Sequence, residues 1–238
     1  MKKIIIGKTL AVAVIILFLG LAIQPSVAVQ TDTEIKIEPK DYLFQTILDI
    51  ANNLEIKNLL AKYDNVLFKV DIDKSVYRKI LLRNPRLLFN TLFTKSSMSL
   101  EYLNECYNKG IEITNIIGDD ESLEIIENAE VTDRKLFDEF NNIITKDEEL
   151  SSRLATLKEM NNALNLDWGF PIFCSILNVL MIIPLILFGF GSSLEALGLW
   201  FRLIGFIGYV IVLITVPIVY AIINVGTIFD CNWWFIST

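Results

Sequence analysis

Two long apolar runs near the carboxy terminus constrain the fold more than any other feature of the chain. Residues 170–190 contain no charged side chain, and residues 197–223 contain one, Arg202. About 20 apolar residues in a helix are enough to cross the hydrocarbon core of a bilayer. The runs therefore predict a two-helix transmembrane hairpin with a glycine- and serine-rich turn at residues 189–195. The alternative is a hairpin buried inside a soluble protein.

The amino terminus predicts export. Three lysines in the first eight residues precede an apolar run at 9–23, and Ser26 and Ala28 are small residues at the −3 and −1 positions of a signal-peptidase site. Residues 1–28 are therefore predicted to be a signal peptide. An uncleaved signal anchor is the alternative, and both interpretations place the following residues outside the cytoplasm.

The leader also carries a resemblance. It reads Gly-Lys-Thr-Leu-Ala-Val from residue 7 and ends Ile-Gln-Pro-Ser-Val-Ala at residue 28. In these stretches it resembles the leaders of predicted, uncharacterised surface proteins of archaea. The resemblance implies a lineage and an exported location, and it implies no function for the rest of the chain.

The positions of lysine and arginine predict one topology in the cell membrane. Cytoplasmic flanks of membrane helices are enriched in these residues. The lysines of the leader and Arg202, near the start of the second apolar run, are therefore placed inside. Residues 41–166 form the main domain on the outer side, and the tail at 224–238, which has no lysine or arginine, is also placed outside.

Two of the three cysteines fall near the outer membrane face in this topology. We predict that Cys174 and Cys231 form a disulfide that closes the hairpin, because the outer compartment can be oxidising. The alternative is two unpaired thiols that act as small apolar residues. The third, Cys106, lies on an apolar helical face and is predicted to be a buried, inert thiol.

The region between the leader and the hairpin predicts short helices. Residues 29–40 are polar and are expected to form a tether, whereas apolar residues in 41–166 recur mainly at helical spacing. Segments of about ten residues are too short to be stable alone, so they must pack together. The predicted fold is all-α: an irregular bundle of short helices outside the membrane plus the carboxy-terminal hairpin. Gly110 is expected to end one helix, with residues 66–72 and 111–117 in extended structure.

One segment of the domain is strongly basic, and an acidic stretch at 96–150 follows it. One interpretation is that the basic segment rests on anionic lipid headgroups or on a partner. The alternative is a solvated surface that pairs with the acidic stretch. With a net charge of −7, the chain is predicted to have no nucleic-acid partner. The basic residues are Lys69, Lys74, Arg78, Lys79, Arg83, Arg86 and Lys95.

Motifs for catalysis or cofactor binding are missing from the sequence. The chain has no histidine, nucleophile-elbow serine, P-loop or dinucleotide glycine pattern. Asp71, Asp73 and Ser75 resemble the opening of a calcium loop. However, Val76 and Leu82 replace its glycine and its glutamate. We therefore predict no metal, no cofactor and no catalytic residue.

Together these features favour a non-enzymatic function. The sequence predicts a membrane-anchored extracytoplasmic interaction or structural protein that binds another membrane or envelope protein, as a subunit of a membrane complex would. Its specificity cannot be read from the residues. The alternative is a membrane-bound hydrolase that uses carboxylate chemistry, because an acidic chain offers many carboxylate pairs.

Overall fold

The structure is a computed structural model that describes residues 38–62, 68–87, 98–131, 133–168, 172–197 and 202–231. The predicted leader, most of the tether, Lys95 and the end of the tail lie outside these ranges. Within them the fold is all-α, as the sequence predicts, with one two-stranded ladder. The elements are α1 Pro39–Asn52, α2 Leu54–Ala61, β1 Phe68–Val70, α3 Lys74–Arg83, α4 Leu100–Ile117, α5 Asp119–Glu127, β2 Ala129–Val131, α6 Arg134–Lys146, α7 Glu148–Trp168, α8 Ile172–Leu197 and α9 Arg202–Ile228.

Several of the shorter helices begin at a side chain that accepts hydrogen bonds from the first turn. The first backbone N–H groups of a helix have no partner within it, so a capping oxygen stabilises the start. Asn53 links two of these starts: it caps α2, and its Nδ2 donates to Oδ2 of Asp147, the residue before α7, at 3.1 Å. The capping residues are Asn53, Asp73, Ser99, Asp133 and Asp147.

The two apolar helices lie at the centre of the molecule. We call α8 and α9 the hairpin, and α1–α7 the coat. Helices α4 and α5 cover α8, while α1 covers α9. Residues 180–189 of α8 and 215–226 of α9 are buried on every side. The sequence interpretation treats the domain at 41–166 as separate from the membrane segments, but in the structure the coat and the hairpin share one hydrophobic core.

Helix α4 shows how the coat approaches the hairpin. Its buried residues include Leu103, Cys106, Gly110 and Ile113, which follow a spacing of three and four. A Cβ atom on Gly110 would lie 2.2 Å from the carbonyl oxygen of Val179 in α8. Glycine is therefore required by close packing.

This packing corrects two predictions about α4. The helix does not end at Gly110, and residues 111–117 are helical rather than extended. Extended structure occurs within the predicted 66–72 segment, where β1 pairs antiparallel with β2. The partner strand was not predicted, because residues 129–131 show no alternation long enough to distinguish them from a helix end.

The turn of the hairpin also differs from the prediction. Helix α8 continues past residues 189–195 to Leu197. Its glycines allow close packing instead of a turn: Gly189 faces Tyr77 of α3, and Gly191 faces α9. A Cβ atom on Gly208 of α9 would lie 2.5 Å from the carbonyl oxygen of Gly191, and small residues permit such close approach. The Ser193 hydroxyl donates to the Gly189 carbonyl at 2.8 Å, so its polarity is satisfied within the helix.

Candidate functional site

Both hairpin helices meet the length and composition of a membrane span. The qualifying stretches are Ile172–Ala196 and Leu203–Ile228, of 25 and 26 residues. Each is mostly enclosed by other parts of the protein. The hairpin thus has the composition of a membrane-spanning segment, but it occupies the position of a protein core.

The coat that encloses the hairpin cannot accompany it into hydrocarbon. Helix α1 lies on α9 and carries the partly exposed Asp41 and Asp49, and α4 lies on α8 and exposes Glu101 and Glu112. A charged side chain at the centre of a bilayer costs about 3 kcal/mol by membrane-insertion scales. A hairpin that crosses a membrane therefore has to leave these coat contacts, so the packed arrangement and a spanning arrangement exclude each other.

Directional contacts hold the hairpin in the coat along its length. The buried Tyr220 ring of α9 lies 6.4 Å from the Phe137 ring and 5.5 Å from the Phe140 ring, both on α6. One helical turn further along α9, the side-chain amide of Asn224 donates to the side-chain oxygen of Asn141 on α6. Coat and hairpin are therefore joined by specific polar and aromatic pairs as well as by apolar burial.

Near the middle of α8, α3 contacts the hairpin. The Tyr77 hydroxyl donates to the Ile186 carbonyl at 3.2 Å, and its ring lies 6.4 Å from that of Phe190. Burial raises the pKa of Tyr77 above its ordinary value, so the hydroxyl stays a donor at any physiological pH. This contact fixes the position of the whole basic helix relative to the hairpin.

The predicted basic segment becomes the exposed face of α3 and its flanks. Lys74, Arg78, Lys79 and Arg83 lie on α3 and are exposed. Lys69 and Arg86, to either side, are also exposed, and Lys95 lies outside the described residues. Lys79 forms an ion pair with Glu121 on α5. Leu82 projects from the same helix with 76% of its surface exposed.

The structure joins Cys174 and Cys231 in a disulfide. Their Cα atoms are 5.5 Å apart, within the usual range for such a bond. Cys174 lies in the first turn of α8 and Cys231 just beyond α9, so the bond joins the two helices at one end of the hairpin. We call this end the base, and the end where α8 stops and α9 starts the tip.

The third cysteine lies in the coat. Cys106 is fully buried on the face of α4 that carries Gly110, one helical turn away. Burial raises the pKa of its thiol to about 12. A thiol in this position is largely protonated and shielded at neutral pH, so it is poorly reactive.

A feature not found from the sequence is an apolar stripe on α9 near the tip. In a run that is apolar on all faces, nothing indicates which residues the coat leaves uncovered. The structure identifies them, and we call them the tip stripe. They are Leu203 (69% exposed), Phe206 (43%), Ile207 (47%), Tyr209 (48%) and Leu213 (51%).

The acidic features of the coat serve local structure. Among the described residues, no group of three or more His, Cys, Asp or Glu side chains could hold a metal ion. Asp73, from the segment that resembles a calcium loop, accepts from the Ser75 backbone N–H at 2.6 Å. This hydrogen bond lowers the pKa of Asp73. The cluster at residues 119–121 forms the first turn of α5, where the helix dipole favours carboxylates.

Comparison with known proteins finds no matching family model, no similar curated protein and no similar solved structure.

Proposed function

We propose that this protein is an exported membrane-interaction protein with two states. In the packed state the coat encloses the hairpin, as described above. In the inserted state the hairpin crosses the bilayer, and the coat stays on the outer surface, where it binds another membrane or envelope protein. The proposal keeps the two alternatives for the apolar runs, a spanning hairpin and a buried hairpin, as two states of one molecule.

One observation carries the proposal: two helices of spanning length and composition are enclosed by helices whose outer faces are charged. For the apolar side chains, lipid and a protein core are similar surroundings, since both remove them from water. The hairpin can therefore be stable either in lipid or in a protein core. The coat can be stable only at the surface, because its charged faces need water.

The disulfide supports insertion of the hairpin as a unit. It joins Cys174 to Cys231 within the hairpin rather than to the coat. Release of the hairpin from the coat therefore breaks no covalent bond. The Gly191–Gly208 crossing also lies within the hairpin. The disulfide and this helix crossing are therefore both retained in the inserted state.

The predicted leader gives the side of the membrane. If residues 1–28 direct export, the coat faces the outside and the tip of the hairpin points towards the cytoplasm. Protease added to intact cells should then digest the coat. Full protection of residues 39–168 in intact cells would place the coat inside and contradict this part of the proposal.

The two-state proposal is tested by locking the coat to the hairpin. Asn141→Cys and Asn224→Cys together place two thiols where the native amides are hydrogen bonded, and a short bifunctional thiol reagent would join α6 to α9. After incubation with anionic vesicles, the unlocked protein should resist extraction by alkaline carbonate. The locked protein should be extracted, because its hairpin cannot leave the coat.

The double variant without reagent, and each single variant with reagent, are the matched controls and should resist extraction like the wild type. Equal resistance of the locked protein would show that spanning does not require release from the coat. Complete extraction of the unlocked protein would show that the hairpin is only a protein core. Either result overturns the proposal.

A further inference from the structure

The tip stripe continues a face of α9 that packs against a helix further along. On the base half of α9, Tyr220 lies against Phe137 and Phe140 of α6. Residues seven positions apart lie on nearly the same side of a helix, and Leu213 and Phe206 precede Tyr220 by one and two such steps. The face that α6 covers at the base is therefore exposed at the tip.

This exposed face is directed away from the other hairpin helix. Gly208 and Ile211 are buried on the side of α9 that approaches α8. With 3.6 residues per turn, residues two positions apart lie on almost opposite sides of a helix. Phe206 is therefore opposite Gly208, and Leu213 is opposite Ile211. A partner can reach the stripe without displacing α8.

The size of the stripe is sufficient for a specific interface. Its five large side chains are 43% to 69% exposed, which corresponds to on the order of 500 Å² of apolar surface. Two such stripes packed together would bury on the order of 1,000 Å², the lower end of the range for specific protein–protein interfaces.

The charge distribution favours a second copy of this chain as the partner. Residues 203–229 contain no charged side chain, whereas the chain as a whole has a net charge of −7. Two copies therefore repel each other least when they meet through this uncharged surface. A symmetric contact requires the same surface on both copies, and an uncharged apolar stripe meets that requirement. Anionic lipid is a poorer partner, because the stripe carries no lysine or arginine to bind phosphate.

The coat determines the orientation of such a pair. Packed helices lie 8–10 Å apart, and a helix is itself about 10 Å wide. In a parallel pair, the two α6 helices would meet at the level of Tyr220 and hold the two α9 helices apart. In an antiparallel pair, each stripe faces the other and the two coats lie at opposite ends. The contact is then centred near Gly208, with Leu203 of one copy opposite Leu213 of the second copy.

We propose that the tip stripe is a homodimer interface, in which the α9 helices of two copies pack antiparallel. The interface exists in the packed state, where it covers apolar surface that the coat leaves exposed to water. It uses only contacts of the packed state, so it does not depend on insertion of the hairpin into a bilayer.

The interface is tested by sedimentation of the full chain in detergent-free buffer. The wild type should be a dimer, and Phe206→Gln with Leu213→Gln should raise the dissociation constant by about a hundredfold or more, because both copies lose two central apolar contacts. Both side chains are about half exposed, so far-ultraviolet circular dichroism should match that of the wild type.

The matched control places the same polar side chain at two exposed leucines outside the stripe, Leu54→Gln with Leu82→Gln. These leucines, on α2 and α3, are 72% and 76% exposed. The dimer should persist with an unchanged dissociation constant. Equal dissociation by the two double variants would overturn the interface, because association would then follow total apolar exposure rather than the stripe.

Orientation is tested with two single variants, Leu203→Cys and Leu213→Cys, and a short bifunctional thiol reagent. In the antiparallel pair, identical positions are about 15 Å apart along the helices, whereas Leu203 lies opposite Leu213 of the second copy. An equimolar mixture should therefore form covalent dimers much faster than either variant alone. Faster cross-linking within each single variant would indicate a parallel pair and overturn the proposed arrangement. The wild type with reagent controls for Cys106, which is buried.

The remaining outcomes also decide the proposal. A wild type that is monomeric up to about 100 µM overturns it. If the stripe variant also abolishes flotation of that monomer with phosphatidylcholine vesicles, lipid covers the stripe instead. A dimer that the stripe variant leaves intact overturns it as well. A wild-type dimer that carbonate always extracts from vesicles supports this interface and overturns the proposed function, whereas a carbonate-resistant monomer does the reverse.

Discussion

The coat and the hairpin are both helical, but they depend on their surroundings in different ways. The coat helices have 8 to 21 residues, charged outer faces and, in several cases, capping side chains. The hairpin helices have 26 and 27 residues and are apolar on all sides over most of their length. The coat needs water on one face and apolar contact on the other. The hairpin needs only apolar contact, which protein and lipid both supply.

The largest expected effect comes from separating the two regions. Residues 39–168 without the hairpin should lose cooperative thermal unfolding, because Phe44 of α1 and Leu103 of α4 belong to the core that the hairpin completes. The measurement is a near-ultraviolet circular dichroism melt of this fragment beside the full chain. A sharp, reversible transition for the fragment would show that the coat is an independent domain, as the sequence interpretation expects.

The next effect concerns the contact between the regions. Gly110→Ala places a methyl group against the Val179 carbonyl and should lower the free energy of unfolding by about 2–3 kcal/mol. Because it weakens the packed state alone, it should also speed the gain of carbonate resistance on vesicles. Chemical denaturation and a time course of extraction measure the two effects.

The control for Gly110→Ala is Gly208→Ala, which pushes α9 away from Gly191 and Glu195 within the hairpin. A similar loss of stability is expected, without faster insertion, because the contact between α8 and α9 is needed in both states. Faster insertion by both variants would mean that any loss of stability promotes insertion, and the contact between coat and hairpin would have no special role.

A smaller effect is expected within the coat. Asn53→Ala removes the cap of α2 and the hydrogen bond to Asp147, and should cost about 1 kcal/mol. Insertion should proceed as in the wild type, because the lost hydrogen bonds join parts of the coat to each other and not to the hairpin. The measurement is urea denaturation beside vesicle extraction. Insertion that changes as much as it does for Gly110→Ala would contradict the distinction between the two regions.

The smallest effect is on pH dependence. Burial raises the pKa of Asp49 above its ordinary value, although its carboxylate lies 2.8 Å from the Arg153 guanidinium. The folded state therefore binds the proton more tightly than the unfolded state does. The stability of the wild type relative to Asp49→Asn should rise as the pH falls through the folded pKa towards 3.8. Denaturation curves between pH 7 and pH 4 measure this, and a relative stability that falls would contradict the sign.

Much of the fold follows from periodicity and length. The two apolar runs become the longest helices among the described residues, and the buried residues of α1 include 43, 44, 47, 48 and 51, which have helical spacing. Burial of the hairpin in the coat cannot be read in the same way. A helix that is apolar on all sides is satisfied equally by lipid and by protein, so its sequence does not identify its surroundings.

Glycine shows the same limit at single residues. Gly110 suits a helix end, where glycine adopts positive φ easily, and it also suits a close helix contact. The structure selects the second role, through Val179, which lies 69 residues away in the sequence. Gly118, which follows α4, has a φ of 99° and lies where the helix does end.

The residues of the basic segment were predictable from the sequence, but their position in the fold was not. The basic segment is visible in the sequence, and its side chains are exposed as a charged run requires. Its location beside the middle of α8 depends on the hydrogen bond between Tyr77 and Ile186, 109 residues apart. The tip stripe depends on which part of α9 the coat leaves uncovered, and that follows from the tertiary structure alone.

The reactivity of Cys106 tests the exclusion between the packed and inserted states most directly. Its thiol is buried on the face of α4 that meets α8, with a pKa of about 12. In solution, alkylation should be slow. On anionic vesicles it should approach the rate measured in denaturant once the protein resists carbonate, because α4 has then left the hairpin. Carbonate-resistant protein whose Cys106 stays as protected as in solution would contradict the account.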